Sequence, residues 1–290
     1  MLNEVFKSAQ AVYDDGVADI VNTDIIKLQK NNTLHDIILN FVMNKISKIF
    51  IYDEEKPVGV VTDKDIIRFL FIDKSRNLNQ IPATEIMNGI YFIDKGLSCQ
   101  QAAQMMLLNK ISTLGVGNRE HLDGIITKSD LIKYYITRRH DTSKVSDYMT
   151  ISYFSAGIDD KVYDLIKKMI TQDISRVVIT DHEKKPVGII TTGDLFNLTV
   201  STNKLSIVQS SLTNYLEKDG LWSETGFVGS QLAGEVMSQG IMTVSPSANM
   251  ADAAKMILEK KIDSLGISGN ETLLGLISKR NILLALAKSK

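Results

Sequence analysis

Apolar positions recur along this chain with two alternating spacings, and the whole pattern appears four times. In the first copy, a short apolar run at 25–28 predicts a strand. Two further runs, at 46–51 and 58–61, flank the charged turn 53–57 and predict a hairpin. Asn32 or Thr33 can cap the helix that follows the first strand. The stripe that predicts this helix consists of Leu34, Ile37, Ile38, Phe41 and Val42.

Each copy ends in one motif: glycine, two hydrophobic residues, Thr or Ser, two variable residues, then Asp or Asn. The four instances are Gly59–Asp65, Gly124–Asp130, Gly188–Asp194 and Gly275–Asn281. The interval from the start of the helical stripe to the final Asp or Asn is 31 residues in three copies and 32 in the third. Agreement at this register identifies an internal repeat. Each repeat is predicted to run strand–helix–strand–strand–helix.

The repeats divide the chain into segments. They are an N-terminal helix at 1–18, the first repeat at 19–78, the second at 79–140, the third at 141–200, an inserted helix and loop at 201–230, and the fourth repeat at 231–290. The first and third repeats share an acidic-Lys-Pro-Val-Gly hairpin, which indicates that a two-repeat unit was duplicated. The N-terminal helix is predicted to cover the first repeat or to bind a partner. The insertion is predicted to be a surface elaboration, or a lid or docking element for a partner protein.

These repeats resemble the CBS-domain family, named for cystathionine beta-synthase, over about 19–290 without the insertion. The resemblance implies an α/β fold in which four CBS repeats pair through their sheets into two Bateman modules. Four copies in one chain are similar in layout to the gamma subunit of AMP-activated protein kinase. The family is regulatory and typically binds AMP, ADP, ATP or S-adenosylmethionine in clefts between paired repeats.

The residues of the motif are open to two interpretations. A hydroxyl residue three positions before a carboxylate is the pattern of a helix capping box. A helix N-terminus with free N–H groups is also a site for phosphate or ribose oxygens, and the two roles are compatible. The resemblance assigns ribose binding to Asp65, Asp130, Asp194 and, in the fourth repeat, Asn281. It assigns a contact on the phosphate side to the hydroxyls of Thr62, Thr127, Thr191 and Ser278.

The fourth repeat departs from the pattern because a neutral amide has one acceptor oxygen and binds a diol less well than a carboxylate. We therefore expect the Asn281 site to be weak, empty or repurposed. Family members often place a basic residue at the start of the second strand, facing phosphate. Here that position is Lys48 in the first repeat and Arg176 in the third, but Thr113 and Ser264 in the others.

Further contacts to an adenosine ligand are expected from residues beside the motif. Lys64 and Lys128, inside the Thr-x-x-Asp turns, could add positive charge, although each lysine could equally be solvated surface. An apolar slot for adenine could come from Ile46, Ile111 and Ile174.

Composition narrows the class of function. A net charge of −1 gives no global electrostatic attraction to nucleic acid or an anionic membrane. One cysteine, Cys99, excludes an intramolecular disulfide, and its place on an apolar stripe predicts core packing. No apolar run reaches the roughly 18 residues of a membrane span, and the N-terminus lacks a signal-peptide pattern. A cytoplasmic protein is expected.

No catalytic motif stands out, because the four histidines lack metal-ligand spacing and no P-loop, GxGxxG or Gly-x-Ser-x-Gly occurs. The expected function is non-catalytic regulation by an adenosine nucleotide, with or without Mg²⁺, and with no required cofactor. A partner protein or enzyme would read the signal, and the family allows a homodimer. A scaffold with decayed clefts remains an alternative. A nucleotide-hydrolysing enzyme is a third hypothesis, without a visible nucleophile-base pair.

Overall fold

The computed structural model describes residues 16–72, 76–138, 142–200, 222–223, 226–227, 231–269 and 272–289. The predicted N-terminal helix stripe and the helix predicted at 205–215 lie outside these residues. Within the insertion, the backbones of β10 (Trp222–Ser223) and β11 (Gly226–Phe227) pair antiparallel. No helix in the described part of the chain is both long and apolar enough to cross a membrane.

The predicted order of strand, helix, strand, strand and helix is confirmed in all four repeats. The first repeat contains β1 (Lys27–Gln29), α1 (Leu34–Asn44), β2 (Lys48–Asp53), β3 (Lys56–Thr62) and α2 (Asp63–Ile72). The second contains β4 (Phe92–Ile93), α3 (Cys99–Leu108), β5 (Thr113–Gly117), β6 (Leu122–Thr127) and α4 (Lys128–Arg138). The third contains β7 (Ser155–Gly157), α5 (Val162–Thr171), β8 (Arg176–Thr180), β9 (Pro186–Thr191) and α6 (Thr192–Val200).

The fourth repeat follows two short elements, α7 (Ala233–Val236) and β12 (Ser238–Gln239). It contains β13 (Thr243–Val244), α8 (Met250–Glu259), β14 (Ser264–Gly269), β15 (Thr272–Ser278) and α9 (Lys279–Lys288). In every repeat the first strand runs parallel to the second, and the second runs antiparallel to the third.

Local sequence explains where the first helix of a repeat begins and ends. Thr33 and Asp36 form a capping box at the start of α1, and Ser98 and Gln101 form one at the start of α3. The residue after α1, Lys45, has a left-handed backbone with a φ of 51°, which ends the helix. The predicted stripe of α1 faces inward, since Leu34, Ile37, Ile38 and Phe41 are buried.

The chain divides into two compact units, each with its own core. One unit comprises the described parts of 26–89 and 153–241, and it holds the first and third repeats. In its core the rings of Phe41 and Phe196, from these two repeats, lie 5.6 Å apart between centroids. The other unit comprises the described parts of 1–25, 90–152 and 242–290, and it holds the second and fourth repeats. Each core is therefore shared by alternate repeats.

Cys99 is fully buried in the core of the second and fourth repeats, as its place on an apolar stripe predicted. The fully buried residues around it include Ala102, Ala103 and Met106 from the same helix. A thiol in such surroundings behaves as a small hydrophobic side chain. The core-packing interpretation of Cys99 is confirmed.

Candidate functional site

The Thr-x-x-Asp motif has one geometry in the first three repeats. In the first, the backbone N–H and the hydroxyl of Thr62 both donate to Oδ2 of Asp65, over 2.9 and 2.6 Å. Thr127 and Asp130 repeat these contacts at 3.0 and 2.6 Å. Thr191 and Asp194 repeat them at 2.8 and 2.6 Å. One carboxylate oxygen therefore caps the helix, as the pattern predicts, and the other oxygen, Oδ1, is left for another partner.

The fourth motif makes the same cap with an amide. The backbone N–H and the hydroxyl of Ser278 donate to Oδ1 of Asn281 over 3.0 and 2.5 Å. The cap therefore requires an acceptor oxygen at this position and not a negative charge. What distinguishes Asp from Asn is the second atom of the group.

The basic position at the start of the second strand lies directly across the hairpin from the motif hydroxyl. Lys48 pairs with Thr62 in the β2–β3 ladder, and Arg176 pairs with Thr191 in the β8–β9 ladder. Thr113 and Ser264 occupy the corresponding places opposite Thr127 and Ser278. The structure thus brings together the two positions that the sequence singled out separately.

A segment from outside the repeat crosses each third strand at the start of the motif. Val60 and Asn88 exchange two backbone hydrogen bonds of 2.9 Å, and Asn88 precedes the second repeat's first strand. The same crossing joins Asn22 to Ile125 and Thr150 to Leu276 as isolated bridges. In the third repeat the crossing segment is β12, where Ser238 pairs with Ile189.

The motif glycine makes room for this crossing. A Cβ on Gly275 would lie 2.6 Å from the Thr150 carbonyl oxygen, and one on Gly188 would lie 2.7 Å from the Ser238 carbonyl oxygen. At Gly59 an added Cβ would collide with the Met87 side chain. Close approach of a second chain segment therefore explains why glycine begins the motif.

The crossing segment reaches the free oxygen of the motif carboxylate in the third repeat. The Ser238 hydroxyl donates to Oδ1 of Asp194 over 3.1 Å. In the second repeat, Oδ1 of Asp130 lies 3.6 Å from Nζ of Lys133, one turn along the same helix. Among the described residues, Oδ1 of Asp65 has no hydrogen-bond partner. Three motif carboxylates thus present their second oxygen in three different settings.

In the fourth repeat the amide nitrogen binds the crossing segment itself. Nδ2 of Asn281 donates to the Tyr148 carbonyl over 2.7 Å and to the Thr150 hydroxyl over 3.1 Å. A carboxylate could not make these bonds because it has no proton to donate. The second atom of the group, which is an oxygen in the other three repeats, is here a nitrogen that is committed to the protein.

The basic residues named from the sequence have partners in the structure. Lys64 of α2 forms an ion pair with Asp173, which follows α5 in the third repeat. Arg176 lies close to its neighbour Ser175, with Nη2 and Oγ 3.4 Å apart. The backbone N–H of Lys128 donates to the Ser112 carbonyl over 3.2 Å. The phosphate contacts expected of these side chains stay predictions.

The isoleucines expected to line an adenine slot are partly buried. Ile46 and Ile174 pack against the core of the first and third repeats, and Ile111 packs against the other core. Ile174 also lines a small apolar cavity together with Ile67, Ile166, Met169 and Leu195. A contact with adenine stays a prediction for all three.

The sequence interpretation missed the polar residues of the crossing segments: Asn22, Asn88, Thr150 and Ser238. Two signals pointed to them without being joined. A hydrophobic-Met pair lies near the start of the second, third and fourth repeats, and a glycine begins each motif. Met87 and Met237 pack over Gly59 and Gly188, so these signals mark the two sides of one contact. No cluster of three or more His, Cys, Asp or Glu that could hold a metal occurs among the residues described.

The CBS domain family model matches residues 17–72, 145–201 and 233–288, which is more than half of the sequence, and the chain belongs to this family. These ranges hold the first, third and fourth repeats. The second repeat lies outside them and has the same order of elements.

Two uncharacterized proteins of Methanocaldococcus jannaschii are related in sequence. MJ1225 is 24% identical over 198 residues, which cover 64% of this chain and 70% of MJ1225. MJ1404 is 25% identical over 235 residues, which cover 71% of this chain and 54% of MJ1404. This chain therefore spans about half the length of MJ1404.

Solved structures share the fold along nearly the whole chain. The crystal structure of MJ1225, described as a proposed archaeal homologue of the gamma subunit of AMP-activated protein kinase, has a TM-score of 0.76 at 18% identity. It covers 94% of this chain and 100% of its own. An uncharacterized conserved protein from Pyrococcus horikoshii has a TM-score of 0.61 at 16% identity and covers 93% and 99%. The expected four-repeat CBS layout is confirmed.

Proposed function

We propose that this chain is a non-catalytic regulatory protein whose first three repeats bind adenosine-containing ligands at Asp65, Asp130 and Asp194. The observation that carries the proposal is that the two oxygens of each motif carboxylate make different contacts. Oδ2 accepts the hydrogen bonds of the helix cap, whereas Oδ1 takes no part in the cap. A carboxylate oxygen can accept from two neighbouring hydroxyls at once, which is the pattern of a ribose diol.

The surroundings of the carboxylate suit the rest of a nucleotide. The helix N-terminus favours negative charge, and the motif hydroxyl lies beside it. Lys48 and Arg176 stand opposite Thr62 and Thr191 in the hairpin register, which supports a cation beside the first and third motifs. The first and third sites are therefore proposed to prefer phosphorylated ligands more strongly than the second, where Thr113 takes the basic position.

A signal requires that the ligand bind two conformations of the protein with different affinity. Each core is shared by two repeats, so a conformational change at one motif can be transmitted through the core to the other repeat. An unidentified partner protein or enzyme is proposed to read this change. The description of MJ1225 as a proposed gamma-subunit homologue supports a role of this kind.

The direct test is calorimetric titration of the purified protein with AMP, ADP, ATP and S-adenosylmethionine, with and without Mg²⁺. Saturable binding of at least one ligand, at no more than three sites, is expected. Absence of binding by all four would overturn the proposal.

A second candidate, an interaction scaffold with decayed clefts, is favoured by one observation. The Asn281 amide is fully occupied by the cap and the crossing segment, which is a structural use of the motif. If all four motifs serve as such contacts, ligands will not bind and Asp→Asn substitutions will leave partner binding intact. Nucleotide that remains bound through purification would decide against the scaffold.

A further inference from the structure

Asp173 stands at a position where the other three repeats have lysine. A residue with a left-handed backbone follows the first helix of each repeat, eleven positions after the first residue of that helix. Its φ is 51° at Lys45, 55° at Lys110, 56° at Asp173 and 54° at Lys261. The backbone is thus the same in all four repeats, and only the third carries a negative side chain there. A left-handed residue after a helix is often Gly or Asn, so the choice of an acid here is not a backbone requirement.

The negative charge at this position is used by another repeat. Nζ of Lys64 pairs with Oδ1 of Asp173, so a residue of the first repeat's motif is bound to the third repeat within the same unit. Lys64 lies in the first turn of α2, immediately before Asp65. Its ammonium group is therefore carried by the same turn that the proposed site uses.

The sequence rules out an equivalent ion pair between the third motif and the first repeat. The counterpart of Lys64 in the third repeat is Gly193, and the counterpart of Asp173 in the first repeat is Lys45. The reverse contact, from the third motif to the first repeat, therefore cannot form as a salt bridge. The ion pair of Lys64 with Asp173 thus joins a cation of the first motif to an acid of the repeat that shares its core.

We propose that Asp173 determines how strongly the first site prefers a phosphorylated ligand over an uncharged one, by competing with ligand phosphate for Lys64. The inference rests on the proposed function and adds a residue from a second repeat to the first site. Asp173 acts through Lys64 and is a positioning residue. A ligand phosphate gains the lysine only when the lysine leaves Asp173, which also links occupancy of the first site to the third repeat.

The size of the effect follows from exposure. The side chains of Lys64 and Asp173 are 39% and 44% exposed, so solvent screens the pair and its contribution is modest. Removing an exposed ion pair of this kind should change the affinity of a ligand that competes for the lysine by about two- to fivefold. The effect should shrink as salt increases, because exposed charges are screened.

The test compares AMP with adenosine, which lacks the phosphate, in a background of D130N and D194N that isolates the first site. D173N is the main variant, since asparagine tolerates the left-handed backbone. D173K is the matched variant, because lysine occupies this position in the other three repeats. D173E serves as the conservative control, and unfolding curves establish that each variant is folded.

D173N is expected to raise the AMP affinity about two- to fivefold, to leave the adenosine affinity unchanged and to lose this effect in high salt. K64M is expected to lower the AMP affinity and to abolish the effect of D173N. D173E is expected to bind both ligands as the D130N and D194N background does. Equal changes for AMP and adenosine, or a D173N effect that persists in K64M, would overturn the role of Asp173. If the wild-type chain binds neither AMP nor adenosine, this inference fails; if it binds none of AMP, ADP, ATP and S-adenosylmethionine, the proposed function fails as well.

Discussion

The hydroxyl of Ser238 donates a hydrogen bond of 3.1 Å to Oδ1 of Asp194, although the two residues lie on opposite sides of the insertion in the sequence. The corresponding contact in the fourth repeat runs in the opposite direction, because Nδ2 of Asn281 donates to the Thr150 hydroxyl. In the third and fourth repeats, the final residue of the motif is therefore the point where a helix start meets a segment from outside the repeat. The second oxygen of an aspartate can only accept hydrogen bonds, whereas the amide nitrogen of an asparagine can only donate them. This difference decides which groups the residue can bind.

The first prediction concerns the structural use of Asn281. N281D replaces the amide nitrogen by an oxygen that faces the Tyr148 carbonyl, so that hydrogen bond is lost and two acceptors oppose each other, whereas the Thr150 hydroxyl can turn and donate to the new oxygen. The free energy of unfolding should fall by about 1–3 kcal/mol, as measured by urea denaturation at neutral pH.

D194N is the matched control for N281D, since an asparagine at this position keeps the helix cap, as Asn281 does with Ser278. Its stability should stay close to that of the wild type. An N281D variant as stable as the wild type would contradict the structural role of the amide.

The second prediction concerns the glycine that begins the motif. G275A places a Cβ against the backbone oxygen of Thr150, at 2.6 Å, and a backbone atom cannot move aside as a flexible side chain can. The variant should lose about 1–3 kcal/mol of unfolding free energy through this overpacking. Thermal and urea unfolding measure the loss.

Gly89 provides the control for G275A. It adjoins the crossing residue Asn88, yet no atom lies within 4 Å of a Cβ built on it. G89A should therefore be neutral or slightly stabilising. Equal losses in the two variants would mean that the cost comes from the glycine backbone and not from the crossing segment.

The third prediction concerns pH and the cap of α1. Burial by itself raises the pKa of Asp36, but the Thr33 N–H at 2.8 Å and the Asn32 amide at 3.2 Å outweigh it and lower the pKa below its usual 3.8. Because the folded-state pKa lies below the unfolded-state value, the carboxylate stabilises the fold fully above the unfolded-state pKa. This contribution is lost as pH falls through the folded-state pKa.

D36N tests this sign, since asparagine keeps an acceptor but carries no charge. The stability difference between the wild type and D36N should be largest near neutral pH and should shrink as pH falls below 3.8. Urea denaturation at a series of pH values measures it. A difference that grows on acidification would show that Asp36 is not stabilised as the anion.

Local features were predictable from the sequence because they depend on neighbours along the chain. The spacing of Leu34, Ile37 and Phe41 identified the buried face of α1, and Thr33 was one of two residues expected to cap it. The motif hydroxyl and carboxylate met as their spacing required. The Cys99 core position followed from the same periodicity.

Contacts between distant segments could not be derived from periodicity. Nothing in the local pattern pairs Asn88 with Val60 or Ser238 with Ile189, since neither crossing depends on neighbours in sequence. Lys64 had the properties of a solvated lysine or a phosphate contact, and its partner Asp173 lies 109 residues away. The sharing of each core by alternate repeats was hidden for the same reason.

The central claim is that the motif carboxylates bind ligand in addition to capping helices, and Asp→Asn substitution separates these two roles. The measurement is calorimetric titration of the wild type, D65N, D130N, D194N and the triple variant with whichever of AMP, ADP, ATP or S-adenosylmethionine binds. Each single variant should weaken one site roughly tenfold or more, about 1.4 kcal/mol, while unfolding stability changes little. A triple variant that binds like the wild type would contradict the account and leave the carboxylates as helix caps.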